Sequence, residues 1–247
     1  MYKRQAYPWL EKRGTNVLAR FGYIAEGLYE SEEEIKERNI TQFGETYPGQ
    51  LVKPGDIKYK DLNGDGHIDE YDMCKIGRGD VPKYYYGFGG DFRYKNIGVG
   101  ILFQGTAGAD RVMEGSGIRP FTSSTGGGTL YANITDRWSK DDPSNDNVFY
   151  PRLAWSSADP SNINNFQTST WWQKDMSFLR LKQFTVSYYF PKAWTKKSFL
   201  SGGRFYIMGS NVLTFSKFKL WDPELNTNNG ISYPNVSSYT IGVAINL

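Results

Sequence analysis

Alternation with period two dominates the second half of the chain. From Val236 to the last residue, Tyr239, Ile241, Val243, Ile245 and Leu247 fall on one face. Ser238, Thr240, Gly242, Ala244 and Asn246 fall on the other. Side chains alternate across a strand, so this pattern predicts a two-faced β-strand, apolar on one side and small or polar on the other. Twelve residues at about 3.3 Å each span about 40 Å, and at a tilt of about 45° that still crosses a bilayer core. Tyr84, Tyr86, Phe88, Phe92 and Tyr94 alternate in the same way with Tyr85, Gly87, Gly89, Asp91 and Arg93. Lys95-Asn96 reads as a tight turn, and Ile97, Val99, Ile101, Phe103 and Gly105 return opposite Gly98, Gly100, Leu102, Gln104 and Thr106. This is a hairpin signal. Phe184, Val186, Tyr188 and Phe190 set against Gln183, Thr185 and Ser187 predict a further strand. Residues 191–202 read as a modest turn, and Arg204 to Ser216 as a strand with less distinct faces.

Between these strands the connections run short, long, short, long. Residues 107–170 and 218–234 are polar and rich in turn formers, the first far beyond an ordinary connection. Outer-membrane barrels show this asymmetry, with short periplasmic turns and long extracellular loops. The predicted fold is therefore all-β: an antiparallel transmembrane β-barrel segment over 84–247. About five strands cannot close a membrane barrel, which needs eight or more, and lipid does not tolerate open edges. The reading is thus of a piece of a larger barrel. Residues 1–83 show no sustained period and are read as an extracellular loop region. Within them, Ser31 as N-cap with Glu34 three residues on predicts one short helix.

Composition changes this picture little. Aromatic residues make up 16 % of the chain, and the mean hydropathy of −0.57 is what alternation produces by cancellation. No apolar run reaches the length of a membrane helix. The net charge of +3 gives no argument for nucleic acid. Cys74 is the one cysteine, so no internal disulfide forms. Met1 to Pro8 has no apolar stretch of the signal-peptide kind.

The sharpest chemical motif is Asp61-Leu-Asn-Gly-Asp-Gly-His-Ile-Asp-Glu-Tyr-Asp72. It matches a calcium loop of the EF-hand type, with oxygen donors Asp61, Asn63, Asp65, Asp69 and Asp72 at positions 1, 3, 5, 9 and 12, and Gly66 at position 6. His67 at position 7 would offer its backbone carbonyl. Asp in place of Glu at position 12 predicts weaker binding. The alternative is a metal-free Asp/Asn/Gly-rich turn. A bound Ca2+ would stiffen the loop rather than catalyse. The single histidine lies in this loop, so no Ser–His–acid triad can be assembled elsewhere, and no enzyme is expected. Trp171-Trp172 and Trp194 fall at the levels of two interfacial girdles. Trp138, Trp155 and Trp221 fall in outer loops, where they pack or stack on sugars.

An ordered series of motifs resembles the C-terminal barrel portion of SusC/RagA-type TonB-dependent outer-membrane transporters. It runs Phe21-Gly-Tyr-Ile-Ala-Glu-Gly-Leu-Tyr, Pro54-Gly-Asp-Ile-Lys-Tyr-Lys-Asp-Leu-Asn-Gly-Asp-Gly, Ile76-Gly, Tyr86-Gly-Phe, Phe103-Gln-Gly, Phe178-Leu-Arg-Leu-Lys, Asn211-Val-Leu-Thr-Phe-Ser-Lys and Asp222-Pro-Glu. The resemblance implies a barrel of about 22 strands with a plug. It implies import of oligosaccharides or peptides, a SusD-type surface lipoprotein as lid, energy through TonB, and frequent dimers. The competing reading is a soluble, calcium-stabilised, carbohydrate-binding β-sandwich. A surface adhesin without transport shares the same residues.

Overall fold

The hairpin forms where the alternation places it. In the computed structural model, which describes residues 6–121, 131–155, 159–196 and 200–246, strand β1 (Tyr84–Tyr94) pairs antiparallel with β2 (Ile97–Ala107). Lys95 turns the chain at φ 52°, and the Asn96 side-chain amide donates to Tyr189 O at 2.8 Å. Three more long strands follow: β3 (Phe178–Tyr189), β4 (Gly202–Ser216) and β5 (Ser238–Asn246). They add in chain order, each antiparallel to the last, as one five-stranded meander. The sheet is not closed among the described residues, and the place of Leu247 on β5 lies outside them. Eleven residues at about 3.3 Å give β1 and β2 a span of about 36 Å.

Register converts the alternation into continuous rows. Phe92, Val99, Val186, Ile207 and Ile241 stand in one row across all five strands. Tyr94, Ile97, Tyr188, Phe205 and Val243 form the next. Every one of these ten side chains is between 38 and 82 % exposed. The opposite face carries Arg93, Gly98, Ser187, Tyr206 and Gly242, then Asp91, Gly100, Thr185, Met208 and Thr240.

A β-bulge explains what the alternation hid. Leu181 opposes Phe103 and Leu213, but Gln183 opposes Leu102 and Ser210. Lys182 is thus the extra residue of β3 against β2, and Asn211 of β4, at φ 53°, sits beside it. One extra residue flips the parity of a strand. Leu179 and Leu181 therefore share the face of Phe184, Val186 and Tyr188, and β3 begins at Phe178 rather than near Gln183. Across the sheet, aromatic rings lie on cross-strand glycines: Tyr86 on Gly105, Phe184 on Gly209, Phe190 on Gly203 and Tyr206 on Gly242. A Cβ at any of these four would overlap the ring.

The chain divides into two units that interleave in sequence. The sheet belongs to one (Val81–Ala109, Asp175–Thr227, Ser232–Leu247); Met1–Asp80, Asp110–Lys174 and Asn228–Ile231 form the other. Most of the 107–170 segment, expected as an outer loop of the strand half, therefore shares a unit with the first eighty residues. That unit is held by two-residue to four-residue ribbons, among them Ala25–Leu28 with Ile57–Tyr59 and Thr41–Gln42 with His67–Ile68. Helix α1 (Glu32–Arg38) starts at Ser31, whose hydroxyl accepts from Glu34 N; the Glu34 carboxylate takes Glu30 N. The core gathers Tyr23, Leu28, Ile57, Tyr59, Ile68 and Trp138.

Under it lies a buried polar network. Asp56, fully buried, receives Arg152 Nε at 3.0 Å and Nη2 at 3.1 Å, Ser161 Oγ at 3.1 Å and Asn165 Nδ2 at 2.8 Å. Asn164 and Asn165 come from helix α2 (Pro160–Asn165). Asn165 Oδ1 accepts from Ile57 N, and Gln42 Nε2 donates to Ile57 O and Asn164 Oδ1. Trp172, expected in an interfacial girdle, is 2 % exposed instead: it stacks on Phe166 and donates to Asn165 O at 2.7 Å. Trp138 is buried in the core, whereas Trp155 and Trp194 are exposed.

Candidate functional site

The 61–72 loop folds around its own amides. Asp61 accepts from Gly64 N at 2.6 Å and Gly66 N at 2.8 Å. Asn63 Oδ1 accepts from Asp65 N, Asp65 Oδ1 from His67 N, and Asp69 Oδ1 from Tyr71 N. Asp72 closes the loop by accepting from Leu62 N at 2.7 Å and Asp69 N at 3.0 Å. Gly64 and Gly66 hold φ of 75° and 83°, which a side chain would strain. The His67 ring meets Thr41 Oγ1 through Nδ1, and its backbone carbonyl is the atom that the motif would offer a cation. Asp72 is fully buried. Burial pushes its carboxyl up, the amides of Asp69, Leu62 and Asn63 pull it back, and the charge of Asp61 pushes it up again. The donor chemistry suits a hard cation, since every candidate atom is an oxygen. Convergence is a separate matter: among the described residues no three His, Cys, Asp or Glu side chains gather closely enough to hold a metal.

Two contacts inside the quoted motifs escaped sequence reasoning. Gly55, at φ 87°, lies flat against Trp138, and Asp56 beside it meets Arg152 from 96 residues away. Arg180, 1 % exposed on β3, binds Asp222 through Nη2 and reaches Glu224 Oε2 at 3.5 Å through Nη1. Phe178-Leu-Arg and Asp222-Pro-Glu are thus the two halves of one ion-pair latch. The signal was present as charge: a lone Arg amid apolar strand residues needs an acid, and Asp-Pro-Glu offers two.

On the sheet, geometry divides the chemistry by face. One face is a continuous apolar field far larger than a soluble monomer exposes. The other is polar, and aromatic rings seat on glycines on both faces. No helix among the described residues is long and apolar enough to cross a membrane. An open antiparallel meander with one lipid-type face and one polar face is a piece of the wall of a membrane β-barrel.

No model of a known protein family matches the chain. The TonB-dependent receptor P3 of Formosa agariphila is 30 % identical over 250 residues, covering 94 % of this chain and 22 % of that protein. The TonB-dependent receptor SusC of Bacteroides thetaiotaomicron is 23 % identical over 242 residues, covering 94 % of this chain and 21 % of that protein. Among solved structures, the RagAB peptide importer in its open-open state shares the fold, with a TM-score of 0.61 and 21 % identity over 93 % of this chain and 22 % of that one. The chain belongs with the TonB-dependent receptors of the SusC/RagA type, an outer-membrane family, and spans about a fifth of the length of the curated relatives it matches. The β-sandwich alternative is not favoured: beside the five-stranded sheet there are only two-stranded ribbons, so no second sheet of comparable size is present among the described residues.

Proposed function

We propose that this chain is a wall segment of a transporter that imports nutrients across the outer membrane. The apolar rows of β1 to β5 face lipid, the polar face lines the interior, and the unit built on Met1–Asp80 lies on the extracellular side. The two unbroken five-residue rows of exposed apolar side chains carry this reading. An exposed field of that kind is costly in water and favourable in acyl chains. The company of SusC and of a peptide importer supports oligosaccharides or peptides as cargo, a SusD-type lipoprotein as lid, TonB as energy source, and a dimeric assembly.

The test is made on the full-length receptor reconstituted in lipid with brominated acyl chains. A tryptophan from Ile241→Trp or Val243→Trp is expected to be quenched, and one from Thr240→Trp or Ala244→Trp is not. Equal quenching on both faces sinks the proposal.

The 61–72 loop is proposed to take Ca2+ as a structural ion. Its oxygen-only donors, its two left-handed glycines and the buried Asp72 support this. Asp61, Asn63, Asp65, Asp69 and Asp72 would supply side-chain oxygens and His67 a carbonyl. The ion would neutralise clustered carboxylates and hold the loop closed. Chelation is expected to expose the loop to proteolysis, with protection restored by calcium but not by magnesium. Cleavage rates that ignore chelator overturn this role.

A further inference from the structure

A cavity of about 630 Å3 lies in the unit built on Met1–Asp80, between the turn at 115–121 and the segment 162–168 that ends helix α2 and follows it. Arg119 lines it. Its Nη2 donates to Phe166 O at 2.7 Å, and its guanidinium carbon lies 5.0 Å from the centre of the Phe166 ring. Among the described residues it makes no other hydrogen bond and no ion pair. The Glu114 carboxylate is already taken, by Asn228 Nδ2 at 2.8 Å and by Arg20 at 3.9 Å. Burial pulls the Arg119 guanidinium below the usual arginine range, and the charges of Glu114 and Tyr59 push it back up.

The rest of the lining is mixed in a particular way. Phe121 holds φ 54°, where a bulky residue rarely sits, and its ring lies 5.0 Å from that of Trp155, which is 68 % exposed. Ile163, 52 % exposed, adds an aliphatic surface. Gln167 and Thr168 add polar side chains, and Gln167 donates Nε2 to Ile163 O, which leaves its Oε1 to accept. The α2 wall is fixed from behind, because its Asn164 and Asn165 are tied into the Asp56 network.

A half-buried guanidinium with open donors is complementary to a carboxylate, whose two oxygens match its fork. The volume calls for more than the anion, since it is that of a site enclosing a small organic molecule. Rings beside amide and hydroxyl groups suit a body with C–H faces and hydroxyl edges, which is a sugar ring. An extended peptide is taken by main-chain pairing at a free strand edge, and neither 115–121 nor 162–168 is a strand.

We propose that this cavity binds a saccharide bearing a carboxylate, a uronic acid unit, with Arg119 on the carboxylate and Phe121 against the ring. That the saccharide is cargo rests on the transport reading above.

The experiment presents the full-length receptor in detergent with an array of uronate oligosaccharides. Each stands beside its carboxyl-reduced, neutral counterpart, and short peptides with free C-termini are included. At least one uronate glycan is expected to bind, and its neutral counterpart at least about tenfold more weakly, as loss of a charged hydrogen bond implies. Arg119→Gln should weaken uronate binding as much. Arg119→Lys should weaken it less, since it keeps the charge without the fork. Ile163→Trp fills the cavity, leaves Arg119 and its bond to Phe166 in place, and should abolish binding even if Arg119→Gln fails to fold. No uronate bound, neutral counterparts bound equally, peptides bound in preference, or uronate binding indifferent to Ile163→Trp each overturns the inference. Brominated-lipid quenching of Ile241→Trp in the reconstituted receptor reads the barrel separately. Quenching without uronate binding refutes this inference alone, whereas uronate binding without quenching keeps the site and removes the transport reading.

Discussion

Trp172 and Tyr239 are both large aromatics, yet one is 2 % exposed and the other 66 %. The contrast holds across the two units. In the unit built on Met1–Asp80, the core rings are buried and their polar tips are satisfied: Tyr59 OH donates to Asn164 O, Tyr150 OH to Ile118 O, and Trp172 Nε1 to Asn165 O. In the sheet, rings stand in rows facing outward, and strands are held by backbone ladders and by glycines that seat rings. The first unit excludes its solvent, as a water-soluble core does. The second presents its apolar side to a solvent, which is how a lipid-facing wall is built. One chain therefore uses the same residue types under two different solvent rules.

The largest effect expected from breaking this contrast lies in the buried unit. Trp172→Ala removes a ring packed on Phe166, Phe149 and Tyr150 and orphans the Asn165 carbonyl. A loss of about 3–5 kcal/mol in the local stability of 110–174 is expected, read by hydrogen exchange. Trp155→Ala, at 68 % exposure, is expected to change it by less than about 0.5 kcal/mol. Equal effects would mean that the packing described for Trp172 is not what holds the unit.

Next comes the sheet. Val243→Arg places a charge in an outward row, and at the level of a bilayer midplane it should cost about 2–4 kcal/mol in the assembled barrel. Ala244→Arg, one residue on and facing the other way, should cost far less. The measurement is the fraction of receptor that folds into lipid vesicles across a urea series. If both substitutions are tolerated alike, the apolar rows do not face lipid.

These two predictions also show what the sequence makes legible. Period-two alternation exposed β1 and β2 in full, because nothing interrupts their parity, and it overran the start of β5, which begins at Ser238 rather than Val236. It exposed only the second half of β3, because Lys182 flips the faces and Leu179 and Leu181 change sides. The girdle expected at Trp172 was read from position along the chain, but burial is decided by what packs around it, here Asn165 at the end of α2 and Phe166 just after it. The donor oxygens of the 61–72 loop were legible because an Asx-rich turn is encoded locally. The Asp56–Arg152 pair was not, since its partners are 96 residues apart. Local periodicity and turn chemistry survive in one dimension; long-range polar pairing does not.

A smaller change sharpens the glycine contribution to the sheet. Gly242→Ala puts a methyl into the Tyr206 ring. The ring must leave its rotamer, at about 1–3 kcal/mol, the usual cost of overpacking. Gly90→Ala meets open space and is expected to be neutral within about 0.5 kcal/mol. The same vesicle-folding titration measures both.

The smallest expected effect is confined to strong alkali. Burial pushes Tyr23 up to about 12, with Asp69, Asp72 and Glu70 adding to the shift, and pushes Tyr150 up to about 12 as well. An unfolded tyrosine ionises near pH 10, as a rule. The folded state thus holds these protons more tightly than the unfolded state does. Stability from this source is whole below about pH 10 and is lost as pH climbs from there through about 12. The unit on Met1–Asp80 should therefore open over that interval while the strand ladder of the sheet persists. Phenolate absorbance should rise in step with loss of exchange protection in this unit, because each proton lost charges a ring that the fold keeps out of water. Tyr23→Phe removes one of the two groups and should make the loss shallower. Protection that outlasts phenolate formation would mean these hydroxyls already reach water in the folded state, and that this unit does not bury its rings as the contrast with the sheet requires.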